Sequence, residues 1–409
     1  YVDGLRHVLG WLQARGQRPR RLLFVSSTGV YAQTDGGWID EESPALSQAY
    51  SGRIMLDAEQ VALDSGIPAT RVRLAGIYGP GREWLLNQVR QGYRVVSEPP
   101  LYANRIHADD AAGLLAFLLR ADAGGQALED CYIGVDDAPV AMHEVGDYLR
   151  LVAGLCRLQQ ALLDNPPALA PLDPERLRKS REHGMPPLAY DLLVREGAWL
   201  PWLDALLAGY PAPANAAVGA ALEQLREADE GQRKAWAIAL LSGQFDLLPA
   251  ALVPFLGAAL QVAWSHWLLG LEEGAVVETE SRTLCPACGS PPMAGMIRQG
   301  GKETGLRYLS CSLCACEWHY VRIKCSHCEE SKHLAYLSLE HDGQPAEKAV
   351  LRAETCPSCQ GYLKQFYLEF DRHADALADD LASLALDMRL AEDGYLRRSP
   401  NLLLAPGGE

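Results

Sequence analysis

Eight cysteines, spaced as four C-x-x-C pairs, constrain the second half of this 409-residue chain more than any other feature. The pairs are Cys285/Cys288, Cys311/Cys314, Cys325/Cys328 and Cys356/Cys359. A single C-x-x-C can be a redox pair or an accident. Four in one short segment point to two tetrahedral metal sites of four thiolates each. Two residues between cysteines let the chain turn as a tight knuckle whose backbone N–H groups face the sulfurs. Each knuckle then supplies two ligands at about 2.3 Å from one ion, and a second knuckle closes the tetrahedron. Pro286 and Pro357 stiffen two knuckles, and Gly289 and Gly361 are expected to relieve the turns after them.

Pairing neighbours is the simplest assignment, with Cys285, Cys288, Cys311 and Cys314 on one ion and Cys325, Cys328, Cys356 and Cys359 on the other. Crossed pairing stays open. The chain between the knuckles of each pair is long enough for a short β-hairpin, as in rubredoxin and zinc-ribbon folds. Two structural zinc ions would replace a core that so small a segment cannot build. Iron fits the same all-sulfur tetrahedron and would make the sites redox-active. Disulfides are disfavoured, because nothing marks the chain as secreted and thiols in a reducing compartment stay free for metal. Cys316 is an extra thiol beside a complete tetrahedron and reads as a bystander. His327, inside a knuckle, orients a thiolate or faces solvent. Glu317, Trp318, His319 and Tyr320 join the two halves, either as packing between them or as an exposed patch for a partner.

Length implies two or three domains. The formal net charge is −15, from 37 basic and 52 acidic residues. Such a balance disfavours nucleic-acid binding, which needs clustered Lys and Arg at the phosphates. A zinc-ribbon nucleic-acid or protein-binding module is thus a secondary reading. From Leu247 to Trp264 only Gln261 is strongly polar, which approaches the length of a membrane span. Pro249 and Pro254 interrupt the run, and Asp246, Glu272 and Glu273 flank it without a basic anchor. It reads as a buried core helix and not a membrane span.

The first 145 residues alternate strand and helix patterns, which implies a parallel α/β sheet. Arg20 to Ser27 and Ala69 to Leu74 read as strands, and Gly52 to Ser65 as a helix. Three motifs stand out: S-S-T-G-V-Y from Ser26, R-L-A-G-I-Y-G-P-G-R ending at Arg82, and R-I-H-A-D-D from Arg105. With them the segment resembles the extended short-chain dehydrogenase or NAD-dependent epimerase/dehydratase superfamily. The Gly-rich dinucleotide turn of that family is absent, so the first βαβ unit is missing. Its Tyr-x-x-x-Lys pair is also absent: Ser51 and Met55 occupy those places, and Tyr50 is followed four residues later by Ile54. The resemblance would make Ser27 the hydroxyl facing substrate, but without a base it reads as a strand-end residue, as does Thr28. His107 reads as a structural or pocket residue.

A strongly periodic helix, Gly146 to Asp164, opens a second region without a flexible linker. Cys156 on it is expected to be a small core residue. Pro166 to Arg181 is Pro-rich. Further helices are expected over Leu193–Leu207, Ala216–Ala228, Gln232–Leu241 and Phe255–Leu271, with Trp199, Trp202, Trp236, Trp264 and Trp267 in their core. The expected architecture is therefore multidomain: a partial α/β Rossmann-like segment (1–145), an all-α domain (146–280), two tandem rubredoxin/zinc-ribbon-like small β metal lobes (281–370), and a helix and tail (371–409). The tail from His373 to Asp393 is acidic and amphipathic and reads as a solvated helix face.

The runs Gly305 to Ser310, Cys311 to Cys328 and Leu351 to Lys364, with G-D-Y-L-R-L-V-A-G-L-C-R-L-Q-Q and A-L-Q-V-A-W upstream, resemble the formate dehydrogenase accessory protein FdhE family. The resemblance spans about residue 146 to the C-terminus. It implies a cytoplasmic, rubredoxin-like, non-enzymatic protein with two iron ions, or zinc as the alternative. It further implies a partner, the molybdenum- or tungsten-cofactor catalytic subunit of formate dehydrogenase, and a role in making that enzyme active. The eight C-x-x-C cysteines carry over as the ligands.

Overall fold

The computed structural model describes residues 1–403 other than 34, 80–86, 89–90, 92–101, 103, 137–140, 169–171, 212–215, 278–282, 301–302, 340–345 and 400. Pro80, Gly81 and Arg82 of the R-L-A-G-I-Y-G-P-G-R motif lie outside the described residues, as does part of the Pro-rich stretch. The chain folds as two compact units, one holding residues 1–150 and the other 151–340 and 344–409.

The first unit begins with helix α1 (Val2–Ala14), then strand β1 (Leu22–Ser27), helix α2 (Tyr50–Leu63) and strand β2 (Ala69–Leu74). Short strands β3 (Gly76–Tyr78) and β4 (Arg105–His107), helix α3 (Ala108–Ala123) and strand β5 (Cys131–Gly134) follow. The strands β1, β2 and β5 form a parallel three-stranded sheet, and β3 pairs with β4, also in parallel. The apolar faces of β2 and α3 meet in a small core of Val72, Leu74, Ile106, Ala111 and Leu118. Arg73, between Val72 and Leu74 on β2, points to the other face of the sheet, where it donates to Glu59 of α2 at 2.8 and 3.0 Å; Ser26 donates to the same carboxylate at 2.5 Å, and Arg73 reaches the Tyr31 hydroxyl at 2.9 Å. Full satisfaction is what permits a buried charge there.

The long helix α4 (Met142–Asp164) leads into the second unit. There follow α5 (Pro174–His183), α6 (Tyr190–Glu196), α7 (Leu200–Gly209), α8 (Ala216–Glu227), α9 (Glu230–Leu241) and α10 (Val253–Leu269). The single helix expected over Leu193–Leu207 is two, because Gly197 sits at φ +81° and Pro201 opens the next helix. All five tryptophans are buried in one core, with Trp199, Trp202 and Trp264 at 0 % exposure. Cys156 corrects its expectation: it is exposed, while its neighbour Leu155 takes the core-facing position. The segment Ala250–Leu269 is long and apolar enough to cross a membrane, yet α10 is buried among the other helices.

The cysteine region does not fold as two separate lobes. Its strands β6 (Ala294–Ile297), β7 (Arg307–Ser310), β8 (Glu317–Tyr320), β9 (Ala335–Leu337), β10 (Leu351–Cys356), β11 (Gly361–Tyr367) and β12 (Leu396–Arg397) form one seven-stranded sheet. The antiparallel set β6–β7–β8 belongs to the first two knuckles, and β9–β10–β11 to the last two. They fuse where β6 and β11 pair in parallel, Ala294 opposite Lys364 and Ile297 opposite Tyr367. Strand β11 is buried along its whole length, including Lys364 and Gln365. Between β11 and β12 lie the short helices α11 (Ala378–Ala382) and α12 (Leu384–Glu392). The Lys364 ammonium there meets Asp387 at 2.6 Å and Asp380 at 3.3 Å, and Arg397 reaches Asp380 at 2.6 Å. The acidic tail is thus not merely a solvated face. Asp380 is fully buried, and Leu386 and Leu390 pack on Ala353 and Tyr362.

Candidate metal centre

Each of the four C-x-x-C segments forms the same turn, and the residue after its second cysteine is left-handed. These are Gly289 (φ +80°), Ala315 (+59°), Glu329 (+63°) and Gln360 (+52°). The left-handed residue closes the turn, as in Gly289 N–H to Cys285 C=O at 2.8 Å and Glu329 N–H to Cys325 C=O at 3.1 Å. Only the first position is glycine, so three knuckles accept the steric cost of Cβ there. The expected role of Gly361 is corrected: Gln360 makes the turn. A side chain on Gly361 would meet Cys359 Sγ at 3.2 Å and Arg398 Nε at 3.3 Å. Backbone N–H groups point at sulfur: Leu313 and Cys314 at Cys311 Sγ, and His327 at Cys325 Sγ, all at 3.4 Å.

Neighbouring knuckles come together. Cys285, Cys288, Cys311 and Cys314 form one quartet, and Cys325, Cys328, Cys356 and Cys359 the other, with the ligand atoms of each within 4.8 Å of one another. Sulfur–sulfur separations are 3.5 Å for Cys285–Cys314 and Cys288–Cys311. They are 3.8 Å for Cys325–Cys359 and 3.6 Å for Cys328–Cys356. A tetrahedron with metal–sulfur bonds of about 2.3 Å has edges of about 3.8 Å, so both quartets fit one ion each. An S–S bond needs about 2.0 Å, so no pair is a disulfide.

The hairpin β6–β7 separates the first two knuckles and returns the chain to the first quartet, with Met293 N–H bonded to Ser310 C=O at 2.9 Å. The helices grip this quartet through its backbone. Leu188 and Tyr190 donate to the carbonyls of Ala287 and Cys288 at 2.9 Å, and Gln261 donates to Ser312 C=O at 2.9 Å. Ser290, which sequence reasoning passed over, stands 3.1 Å from Cys288 Sγ and 3.0 Å from Cys311 Sγ, where its hydroxyl can bond thiolate sulfur. Neighbouring thiols bonded to Cys285 hold it down to about 5, while burial pushes Cys288 up. A bound cation would favour the thiolate form at all four sulfurs. Cys316 lies outside the quartet; its carbonyl accepts from Cys311 N–H at 3.0 Å.

The second quartet is set by a buried ion pair that the sequence did not reveal. The guanidinium of Arg307 on β7 binds Glu354 on β10 at 2.8 and 2.9 Å. Its other nitrogen donates to the carbonyls of Val321 and Lys324 at 2.5 and 2.6 Å, just before Cys325. Tyr320 donates to Cys325 C=O at 2.9 Å. Burial pushes the Cys325 thiol up to about 12. Trp318 and Tyr320 are buried, so the Glu317–Tyr320 run is packing and not an exposed aromatic patch. His327 meets the site through its backbone N–H, which points at Cys325 Sγ, and lines the cleft beside it. In the first unit, His107 caps α3 by accepting from Asp109 N–H at 3.3 Å, and Ser27 caps a turn by accepting from Gly29 N–H at 3.1 Å.

Three family models match the second unit and its approach: "FdhE, N-terminal" over 140–281, "FdhE, central domain" over 284–322 and "FdhE, C-terminal domain" over 323–404. A protein of Pseudomonas aeruginosa named "Protein FdhE homolog" is 99 % identical over 267 residues, 65 % of this chain and 86 % of that protein. A Stutzerimonas stutzeri protein of the same name is 62 % identical, with the same coverage of 65 % and 86 %. The crystal structure of the FdhE protein from Pseudomonas aeruginosa superposes with a TM-score of 0.61 at 97 % identity, covering 64 % of this chain and 91 % of that one. With models matched from residue 140 to 404 and close relatives covered over most of their length, the chain belongs to the FdhE family.

Proposed function

We propose that this chain is an accessory factor for formate dehydrogenase that acts by binding and performs no turnover of its own. Membership of the FdhE family supports the role, and the two thiolate quartets carry it. In this reading Cys285, Cys288, Cys311, Cys314, Cys325, Cys328, Cys356 and Cys359 hold two ions. Either zinc or iron suits an all-sulfur tetrahedron. Zinc would supply fold alone, whereas iron would add one-electron chemistry at the site. The partner is the catalytic, molybdenum- or tungsten-cofactor subunit of formate dehydrogenase, met in the cytoplasm. Anaerobic purification with a metal count and a visible spectrum tests the site: two ions per chain are expected, red for ferric iron and colourless for zinc. Pull-down of the tagged chain tests the role. Recovery of the formate dehydrogenase subunit supports it, and failure to recover that subunit from cells making the active enzyme refutes it.

The first unit is read as carrying no enzyme function of its own. Its parallel β1–β2–β5 register suits the epimerase-like scaffold that its motifs suggest. Ser27 is used as a turn cap, and Tyr50 is 76 % exposed with Ile54 four residues on. Neither residue is thus placed among the described residues as a base beside a substrate hydroxyl. Titration with NADH and NADPH followed by fluorescence is expected to show no binding to the chain.

A further inference from the structure

The two quartets differ in how far they lie from solvent. In the first, Cys285 and Cys288 are at 0 % exposure, Cys314 at 1 % and Cys311 at 4 %. All four belong to the same continuous core as the helices, and the backbone bonds from Leu188 and Tyr190 seal one side. The second quartet joins no apolar core cluster. Cys325 and Cys356 are buried by the protein, but Cys328 is exposed and Cys359 half-buried. Cavities reach both quartets, one of about 420 Å³ at Cys311 and one of about 180 Å³ at Cys325 and Cys356 with His327, Tyr362 and Arg398 on its walls, so the difference lies in the exposure of the thiols themselves. Arg398 donates to the Cys359 carbonyl.

We propose that the two centres divide the work: the first is a closed fastener between the helices and the sheet, and the second is the open centre where an ion is loaded, exchanged and reached by small solutes. This rests on the reading that both quartets bind metal. Release from the first must wait for local opening of the surrounding core. Release from the second needs only the movement of two surface knuckles. The second ion should therefore leave with the helical core intact. An incoming reagent would meet Cys328 and Cys359 first, beside the positive charge of Arg398.

The test uses the full-length chain loaded with zinc and challenged with the colorimetric chelator 4-(2-pyridylazo)resorcinol. Two phases of one ion each are expected, the first roughly tenfold or more faster because it bypasses core opening. Iodoacetamide added during the fast phase should label Cys328 and Cys359, while Cys285 and Cys288 stay unlabelled by peptide mass spectrometry. The near-ultraviolet circular dichroism of the tryptophan core should hold through the fast phase and collapse in the slow one. Cys328→Ser should remove the fast phase and keep the slow one. Loss of both ions in one phase, or first labelling at Cys285 and Cys288, overturns the division of roles. A chain that binds no zinc at all instead overturns the metal-binding reading beneath it, so the two failures are distinguishable.

Discussion

At the residue scale, the knuckles show how little of a metal site is carried by its ligands. Three left-handed residues, Ala315, Glu329 and Gln360, have no glycine to announce them. A C-x-x-C spacing sets the turn, and closing the turn sets the next φ. The buried Arg307 is equally silent in sequence, since an arginine in a short strand ordinarily points to water. Here it is at 0 % exposure and holds Glu354 and two carbonyls ahead of Cys325. Removing one partner of such a pair leaves a buried charge alone. Arg307→Ala is therefore expected to cost about 3–5 kcal/mol, read as a lowered urea midpoint. The double change Arg307→Met with Glu354→Leu should recover part of that loss. Cys316→Ser should leave two ions per chain by elemental analysis, whereas Cys314→Ser should lose one. Equal losses would place Cys316 among the ligands.

Elements show a different kind of tolerance. Helix α10 is apolar on most of its circumference and buried from Phe255 to Trp264, which is the pattern of a core helix surrounded by partners. One of those partners is the C-terminal segment. A methyl group on Gly257 would sit 1.9 Å from the Leu402 carbonyl oxygen. No small adjustment of a flexible side chain relieves a clash with backbone. Gly257→Ala should destabilise the second unit by about 1–3 kcal/mol, measured by thermal or denaturant melting. The helices of this region were legible because periodicity and Pro/Gly punctuation are local signals. The break at Gly197 was missed because the apolar pattern runs on across it.

Across the whole molecule, the second unit is organised as one object. Helices grip the first quartet, and β6 beside β11 fuses the two hairpin sets. Metal binding at these quartets would be coupled to folding over that unit, because their thiols converge from knuckles far apart in sequence. Strong chelation under denaturant-free conditions should expose amides across residues 284–397 to hydrogen exchange. Amides of β1, β2 and β5 in the first unit should keep their protection. Lowering the pH should release the ions as well, since protons compete for the same thiolates. Loss of protection at β1, β2 and β5 on chelation would show that the two units do not fold independently.

The spacing of eight cysteines was sufficient to pick out the thiols that gather as two quartets, because a knuckle is a local geometry that four residues specify. Helical periodicity was sufficient for the core tryptophans for the same reason. What no stretch of sequence carried was the joining of the hairpins into one sheet, the burial of Arg307, Glu354, Lys364 and Asp380 as ion pairs, and the unequal exposure of the two quartets. Each depends on which distant segments lie side by side, and such contacts form only when the whole chain has packed.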